Sequence, residues 1–272
     1  MNVPEFIYGT AWKEERTASL VDEALSAGFR AIDTANQRKH YHEAGVGHAL
    51  ERWLAATKLS RDELFIQTKF TFVEGQDDRL PYDPAADSAT QVRQSFQSSL
   101  EHLGVATIDS LLLHGPRTRR GLTDDDREVW QSMESLQREG RVSRIGVSNV
   151  TAEQLELLCS IAEVAPAFVQ NRCYARMGWD RDVRDVCRLN GVSYQGFSLL
   201  TANVAELGSP EVREIARRRG ATIGQIAFAF AREIGMIPLT GTTDPVHMRE
   251  DLAALQIELS TTELETIERI AG

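Results

Sequence analysis

The stretch Phe29-Arg30-Ala31-Ile32-Asp33-Thr34-Ala35-Asn36-Gln37-Arg38-Lys39-His40-Tyr41-His42-Glu43-Ala44-Gly45-Val46-Gly47 decides the fold. An apolar run ends abruptly on a carboxylate, Asp33, and a polar loop carrying Tyr41 follows. Val46, Ala49, Leu50, Trp53 and Leu54 then fall on one face of a helix. Strand, loop and amphipathic helix together form one unit of a parallel sheet, whose strands need helical crossovers. A charged strand end feeding a loop with a phenol is better explained by chemistry than by stability, because catalytic groups sit on loops of a rigid scaffold.

The same alternation runs outward in both directions. Strands are predicted at 6–9, 29–33, 64–69, 108–114, 142–147, 168–170, 192–197 and 236–239. Helices are predicted at 17–27, 42–55, 89–103, 124–138, 181–189, 210–219, 222–234 and 244–255, with others starting at the caps Thr151 and Ser260. Ser60-Arg61-Asp62-Glu63 has the form of a capping box that organises a turn, and 73–87, rich in Asp, Pro and Gly, reads as loop. Eight strand–helix units without a domain-sized linker predict an α/β chain. It is read as one domain over 1–272, a closed (β/α)8 TIM barrel with extra helices near the C-terminus. No Gly-x-Gly-x-x-Gly follows the first strand and no P-loop is present, which weighs against an open dinucleotide-binding sheet.

Composition removes several function classes. The net charge of −10 and pI of about 5.2 argue against a nucleic-acid partner. Cys159, Cys173 and Cys187 are odd in number and lack metal-ligand spacing, which fits a reduced, cytoplasmic setting. The N-terminal residues lead to the expectation of no signal peptide, and no apolar run approaches the ~18 residues of a membrane span. The six histidines show no ligand-rich strand pattern, so no metal is expected.

In a barrel of this kind the active site lies at the C-terminal ends of the strands. Those ends carry Asp33, Lys69, His114, Ser148-Asn149 and Gln170-Asn171. Each alone has a bland explanation as a cap, a turn or a solvated loop residue. Five successive strands ending in polar groups at one mouth make the joint bland explanation much weaker.

These residues sit within Gly9-Thr10-Ala11-Trp12, Asp33-Thr34-Ala35 with Tyr41 and Glu43-Ala44-Gly45-Val46-Gly47, Lys69, Leu111-Leu112-Leu113-His114-Gly115-Pro116, Gly146-Val147-Ser148-Asn149, Val169-Gln170-Asn171, and Ile237-Pro238 with Gly241-Thr242-Thr243. In this order, over nearly the whole chain, the set resembles the aldo-keto reductase family. The resemblance implies a catalytic tetrad of Asp33, Tyr41, Lys69 and His114. Tyr41 would be the general acid that protonates a carbonyl oxygen during hydride transfer, and the base in reverse. His114 would orient the carbonyl, Lys69 would lower the phenol's pKa, and Asp33 would hold Lys69. It further implies a nicotinamide coenzyme, NADP(H), with NAD(H) as the alternative. Ser148, Asn149 and either Gln170 or Asn171 would hold the carboxamide, and Phe197 would stack on the ring. Ser198 and Leu200 would border the pyrophosphate, and Gly241, Thr242, Thr243, His247, Arg249 and Asp251 would complete the site at a helix N-terminus. The substrate would be a small aldehyde or ketone, the protein a monomer or small homo-oligomer. A second reading is a redox-sensing regulatory protein that binds the nucleotide and turns over little.

Lowering a phenol from about 10 to neutrality takes roughly 4 kcal/mol. An ammonium ~4 Å away supplies about that at an effective dielectric near 20. Asp33 cancels part of this field, so a fall of about one to two units is the expectation. Three departures from the family pattern stand out. The interval from Asp33 to Tyr41 is long, and counting back from Glu43 puts His40 in the tyrosine's place; only Tyr41 has the chemistry. A basic residue used by many members for the 2′-phosphate falls on Gly241 and another on His247, with Arg249 or Arg217 to Arg219 as substitutes. The N-terminal hairpin and long C-terminal loop of longer relatives are absent or reduced, which predicts an open, undemanding pocket with Trp12 and Tyr82 as apolar walls.

Overall fold

The computed structural model describes residues 3–271. Eight parallel strands form a closed barrel in sequence order: β1 (Ile7–Gly9), β2 (Ala31–Asp33), β3 (Phe65–Phe70), β4 (Ile108–Leu113), β5 (Val142–Ser148), β6 (Phe168–Arg172), β7 (Ser193–Phe197) and β8 (Met236–Thr240). β1 closes on β8 through Ile7 opposite Leu239 and Tyr8 opposite Thr240. This is the α/β TIM-barrel class that the strand–helix alternation predicts, with every strand within about two residues of its expected place.

Eleven helices cover the described residues: α1 (Thr17–Ala27), α2 (Glu43–Ala56), α3 (Ser88–Leu103), α4 (Asp124–Arg138), α5 (Ala152–Ile161), α6 (Arg181–Asn190), α7 (Val204–Leu207), α8 (Pro210–Arg219), α9 (Ile223–Glu233), α10 (Pro245–Ala253) and α11 (Thr261–Glu268). Only α7, a single turn after β7, was not expected; four residues are too few to show a helical period. Ser60–Glu63 closes its capping box over a 3-10 turn, Arg61–Glu63. None of these helices is long and apolar enough to cross a membrane.

Strand alternation sorts the side chains into two sets. Ile32, Ile66, Leu111, Leu113, Ile145, Val147 and Val169 face the helices and join the main core. Ala31, Phe65, Leu112, Phe168 and Ile237 fill the barrel interior, where the Phe65 and Phe168 rings meet edge to face at 5.6 Å. Gln67, Lys69, Ser110, Gln170 and Gln195 belong to the inward set as well, so a polar layer lies on the apolar plug.

Helix α2 carries the loop of Tyr41 and is held close. A Cβ on Gly47 would lie 2.1 Å from the His102 carbonyl oxygen, so only glycine lets α2 and α3 approach this closely. Glu43, in the first turn of α2, is buried and accepts from the hydroxyls of Thr68 and Ser99, with His102 Nδ1 at 3.1 Å. One carboxylate thus ties α2 to β3 and α3.

Candidate active site

β2 and β3 bring Asp33 and Lys69 together at the mouth. Lys69 Nζ donates to both carboxylate oxygens of Asp33 at 2.7 Å and to the Thr34 carbonyl at 2.8 Å. The Tyr41 ring lies beside this pair, its centroid 5.1 Å from Lys69 Nζ, and meets the His114 imidazole edge to face at 5.9 Å. His114 Nδ1 is 2.7 Å from the Thr71 hydroxyl, which leaves Nε2 to address the mouth. The four side chains named from the sequence therefore share one site.

Burial dominates the electrostatics. It pushes the Tyr41 phenol well above its ordinary range, and the Asp33 charge adds to the rise. The expected fall of one to two units is thus not met in this geometry. All three ammonium hydrogens of Lys69 are committed to Asp33 and Thr34, so none points at the phenol. Burial lowers Lys69, and Asp33 opposes that shift. His114 is pushed down to about 3 by burial, then by the charge of Lys69 and by His40. It is a neutral imidazole at any ordinary pH.

The long loop after Asp33 gives His40 and Tyr41 different neighbours. The backbone N–H groups of both residues donate to the Gln37 carbonyl, which winds the extra residues into a turn. The Gln37 side chain donates to the Gly75 carbonyl at 2.6 Å and meets His40 Nδ1 at 2.9 Å. His40 is thereby turned outward, its ring 3.9 Å from that of Trp12, while Tyr41 faces Lys69 and His114.

On the opposite side of the mouth, β5 and β6 supply amides and a hydroxyl. Ser148 donates to the Gln170 carbonyl at 2.6 Å. Asn149, at a positive φ of 57°, donates to the His114 carbonyl at 2.8 Å and to Ser148 Oγ at 3.0 Å, which leaves its carbonyl oxygen to offer. Gln170 points inward: Nε2 donates to Asp33 Oδ1 at 3.0 Å and to Gln195 Oε1 at 2.9 Å, so it too offers only an acceptor. Asn171 points the other way, and its amide is spent on both backbone groups of Val150 and on Asp180. Of the two alternatives, Gln170 faces the mouth and Asn171 does not. Phe197 follows Gln195 by two residues on β7, is half-buried, and carries the Arg172 guanidinium 5.6 Å from its centroid. Ser198 has a positive φ of 57°, and Leu200 is half-buried in the next turn.

Gly241, Thr242 and Thr243 lead from β8 into α10, with His247 and Arg249 exposed on its first turns. Asp251 is buried, accepts from the Thr240 hydroxyl at 2.8 Å and is raised to about 6 by burial, so it braces β8 from beneath rather than facing a ligand. Arg217 pairs with Glu214, and Arg218 and Arg219 with Glu263, so this triplet is committed to α8 and α11. Lys13, which sequence reasoning missed, stands at this turn: its buried ammonium donates to the Gly241 carbonyl at 2.7 Å. Burial, then Arg16, lowers it to about 8.

The two predicted substrate walls part company. Tyr82 is buried against Phe70, and its hydroxyl donates to the Thr71 carbonyl at 2.7 Å; it belongs to the core. Trp12 is 70% exposed and borders a cleft of about 270 Å³ with Glu15, Arg38, Lys39, His40 and Arg79. That wall is polar, not apolar. Gln67, Thr71 and Gln195 also escaped sequence reading. Their signal was the period-2 spacing from Lys69 and Phe197, which puts Gln67, Thr71 and Gln195 on the inward face. Among the described residues no group of acidic, His and Cys side chains is arranged to hold a metal.

The model of the Aldo/keto reductase family matches residues 7–271. The D-galacturonate reductase of Fragaria ananassa is 32% identical over 278 aligned residues, covering 94% of this chain and 82% of that protein. Among solved structures, MGS-M4, an aldo-keto reductase enzyme from a Medee basin deep-sea metagenome library, superposes with a TM-score of 0.84 at 23% identity, over 99% of this chain and 92% of that one. A Bombyx mori aldo-keto reductase in complex with NADP gives 0.82 at 23% identity, over 98% and 88%. With the family match spanning nearly the whole barrel, and the fold shared with solved members, the chain belongs to the aldo/keto reductase family.

Proposed function

We propose that the chain reduces aldehyde or ketone carbonyls to alcohols with NADP(H), Tyr41 being the general acid and, in reverse, the base. The observation that carries this reading is the convergence of Tyr41, Lys69, Asp33 and His114 at one mouth of the barrel. A bound nicotinamide would supply the hydride. The acceptor oxygens of Gln170 and Asn149 suit the amide hydrogens of its carboxamide, Phe197 offers a ring face, and Lys13 beside Gly241 offers a cation suited to the coenzyme's 2′-phosphate.

In this reading the Tyr41 hydroxyl passes its proton to the carbonyl oxygen as negative charge develops there. His114, neutral and held by Thr71, donates from Nε2 to the same oxygen. Lys69 stabilises the phenolate left behind, which requires one of its hydrogens to turn from Asp33 or Thr34 toward Tyr41. The charged, open rim around Trp12 favours small hydrophilic carbonyls over bulky apolar ones.

The test is Tyr41→Phe, assayed by nicotinamide absorbance against a carbonyl panel. Loss of reduction with an unchanged melting temperature and unchanged NADPH affinity is the expected result. Near-normal reduction by that variant would remove Tyr41 from the acid role. NADPH binding with no turnover of any carbonyl by the wild-type chain would favour the regulatory reading.

A further inference from the structure

The polar layer beneath the tetrad makes more contacts with Asp33 than the Lys69 pairing requires. Gln67 Nε2 donates to Asp33 Oδ1 at 2.8 Å and to Gln195 Oε1 at 2.8 Å. Gln67 Oε1 accepts from the Ser110 hydroxyl at 2.8 Å and from Gln195 Nε2 at 3.0 Å. All four bonds that a glutamine amide can make are therefore made, inside a barrel where Gln67, Gln195 and Ser110 have no exposed surface. Asp33 Oδ1 receives three donors, from Lys69, Gln67 and Gln170.

We propose that Gln67, oriented by Gln195 and Ser110, is a positioning residue that keeps the shared proton of the buried Asp33–Lys69 pair on Lys69. In a dry site such a pair has two forms: carboxylate with ammonium, or carboxylic acid with amine. Taking both groups out of water favours the neutral form, and burial does push Lys69 in that direction. Amide N–H donors aimed at the carboxylate favour the charged form, because they bond to an anion more strongly than to a neutral acid oxygen. Reversing the Gln67 amide would set its oxygen against Gln195 Oε1, which also accepts from Gln170 Nε2, so the network holds the Gln67 donor toward Asp33. The direction of the donor is thus set two residues away from Asp33. Lys69 remains a cation, and a cation is what stabilises the Tyr41 phenolate.

This inference rests on the proton-transfer role proposed for Tyr41, but its first test does not. Gln67→Met keeps the volume and removes both donors. Infrared difference spectra should then show a protonated-carboxyl stretch that is absent from the wild type and lost again in the Asp33→Asn, Gln67→Met double variant. Kinetically, the pH at which alcohol oxidation rises should move up by about one unit, a tenfold lower kcat at neutral pH, with KM for the coenzyme changed less than twofold. A purely structural Gln67 would lower the melting temperature and leave the pH profile in place. If Gln67→Met does not fold, Gln195→Met, one bond further out, should show the same shift at smaller size. A folded variant with no carboxyl band and a coincident pH profile overturns the proposal. A band without any carbonyl reductase activity in the wild type would uphold the proton's placement and remove the proposed reaction instead.

Discussion

Lys69 gives its whole hydrogen-bonding capacity to one partner and that partner's neighbour: Nζ lies 2.7 Å from each oxygen of Asp33 and 2.8 Å from the Thr34 carbonyl. With Lys69 1% exposed, Asp33 is the charge that balances it. Asp33→Ala should cost about 3–5 kcal/mol in urea unfolding, because it strands a buried ammonium. Adding Lys69→Met to that variant should recover at least half of the loss. Equal losses in the single and double variants would show that the pair contributes packing rather than charge balance.

His114 is depressed to about 3, so its imidazole does not titrate between pH 5 and 8. The pH profile of carbonyl reduction should therefore contain no limb that disappears in His114→Leu, while kcat falls by about 100-fold through loss of one donor to the carbonyl oxygen. A limb near 6.5 removed by that substitution would place a charged His114 in the reaction.

Lys13 holds a buried ammonium against the Gly241 carbonyl, at the turn that leads from β8 into α10. Lys13→Met should weaken NADPH binding about tenfold, as expected for a hydrogen bond to a charged group, and change NADH binding less than twofold. Because burial brings Lys13 down to about 8, the proposed preference for NADPH should decline as pH rises through that value. Isothermal titration with both coenzymes at several pH values measures this directly.

Asp251 is raised to about 6 from an ordinary value of 3.8, so the folded state binds its proton more tightly than the unfolded chain does. Its contribution to stability is fully present below about 4 and is lost as pH rises through about 6. Asp251→Asn, which can still accept from Thr240, should melt above the wild type at pH 8 by roughly 2–3 kcal/mol equivalent. The difference should close in acid. A variant less stable than wild type at pH 8 would mean that the charge itself is needed.

Gly47→Ala would place a methyl 2.1 Å from the His102 carbonyl oxygen. Overpacking of this kind costs about 1–3 kcal/mol. Because the shift falls on the helix that anchors the Tyr41 loop, reductase activity should drop by more than the stability loss predicts. Unfolding and kinetic measurements on the same preparation separate the two.

Alternation of short apolar runs with amphipathic stretches determined the barrel, because parallel strands buried on both faces and helices buried on one leave different periods in the chain. Strand-end positions of Asp33, Lys69 and His114 likewise followed from counting alone. What the chain could not reveal was direction and partnership. Gln170 and Asn171 are neighbours of similar chemistry, and only strand register sends one to the mouth and the other to Val150 and Asp180. His40 and Tyr41 exchange places with one residue of loop, and the turn closed by Gln37 decides between them. Tyr82 looks like a pocket wall until its hydroxyl is seen on the Thr71 carbonyl. Lys13 and Gly241 are 228 residues apart, and no local pattern links them. Sequence therefore determined which groups stand at the strand ends. Three-dimensional packing decided which way they turn and what they touch, because those outcomes depend on distances between segments that only closure of the barrel sets.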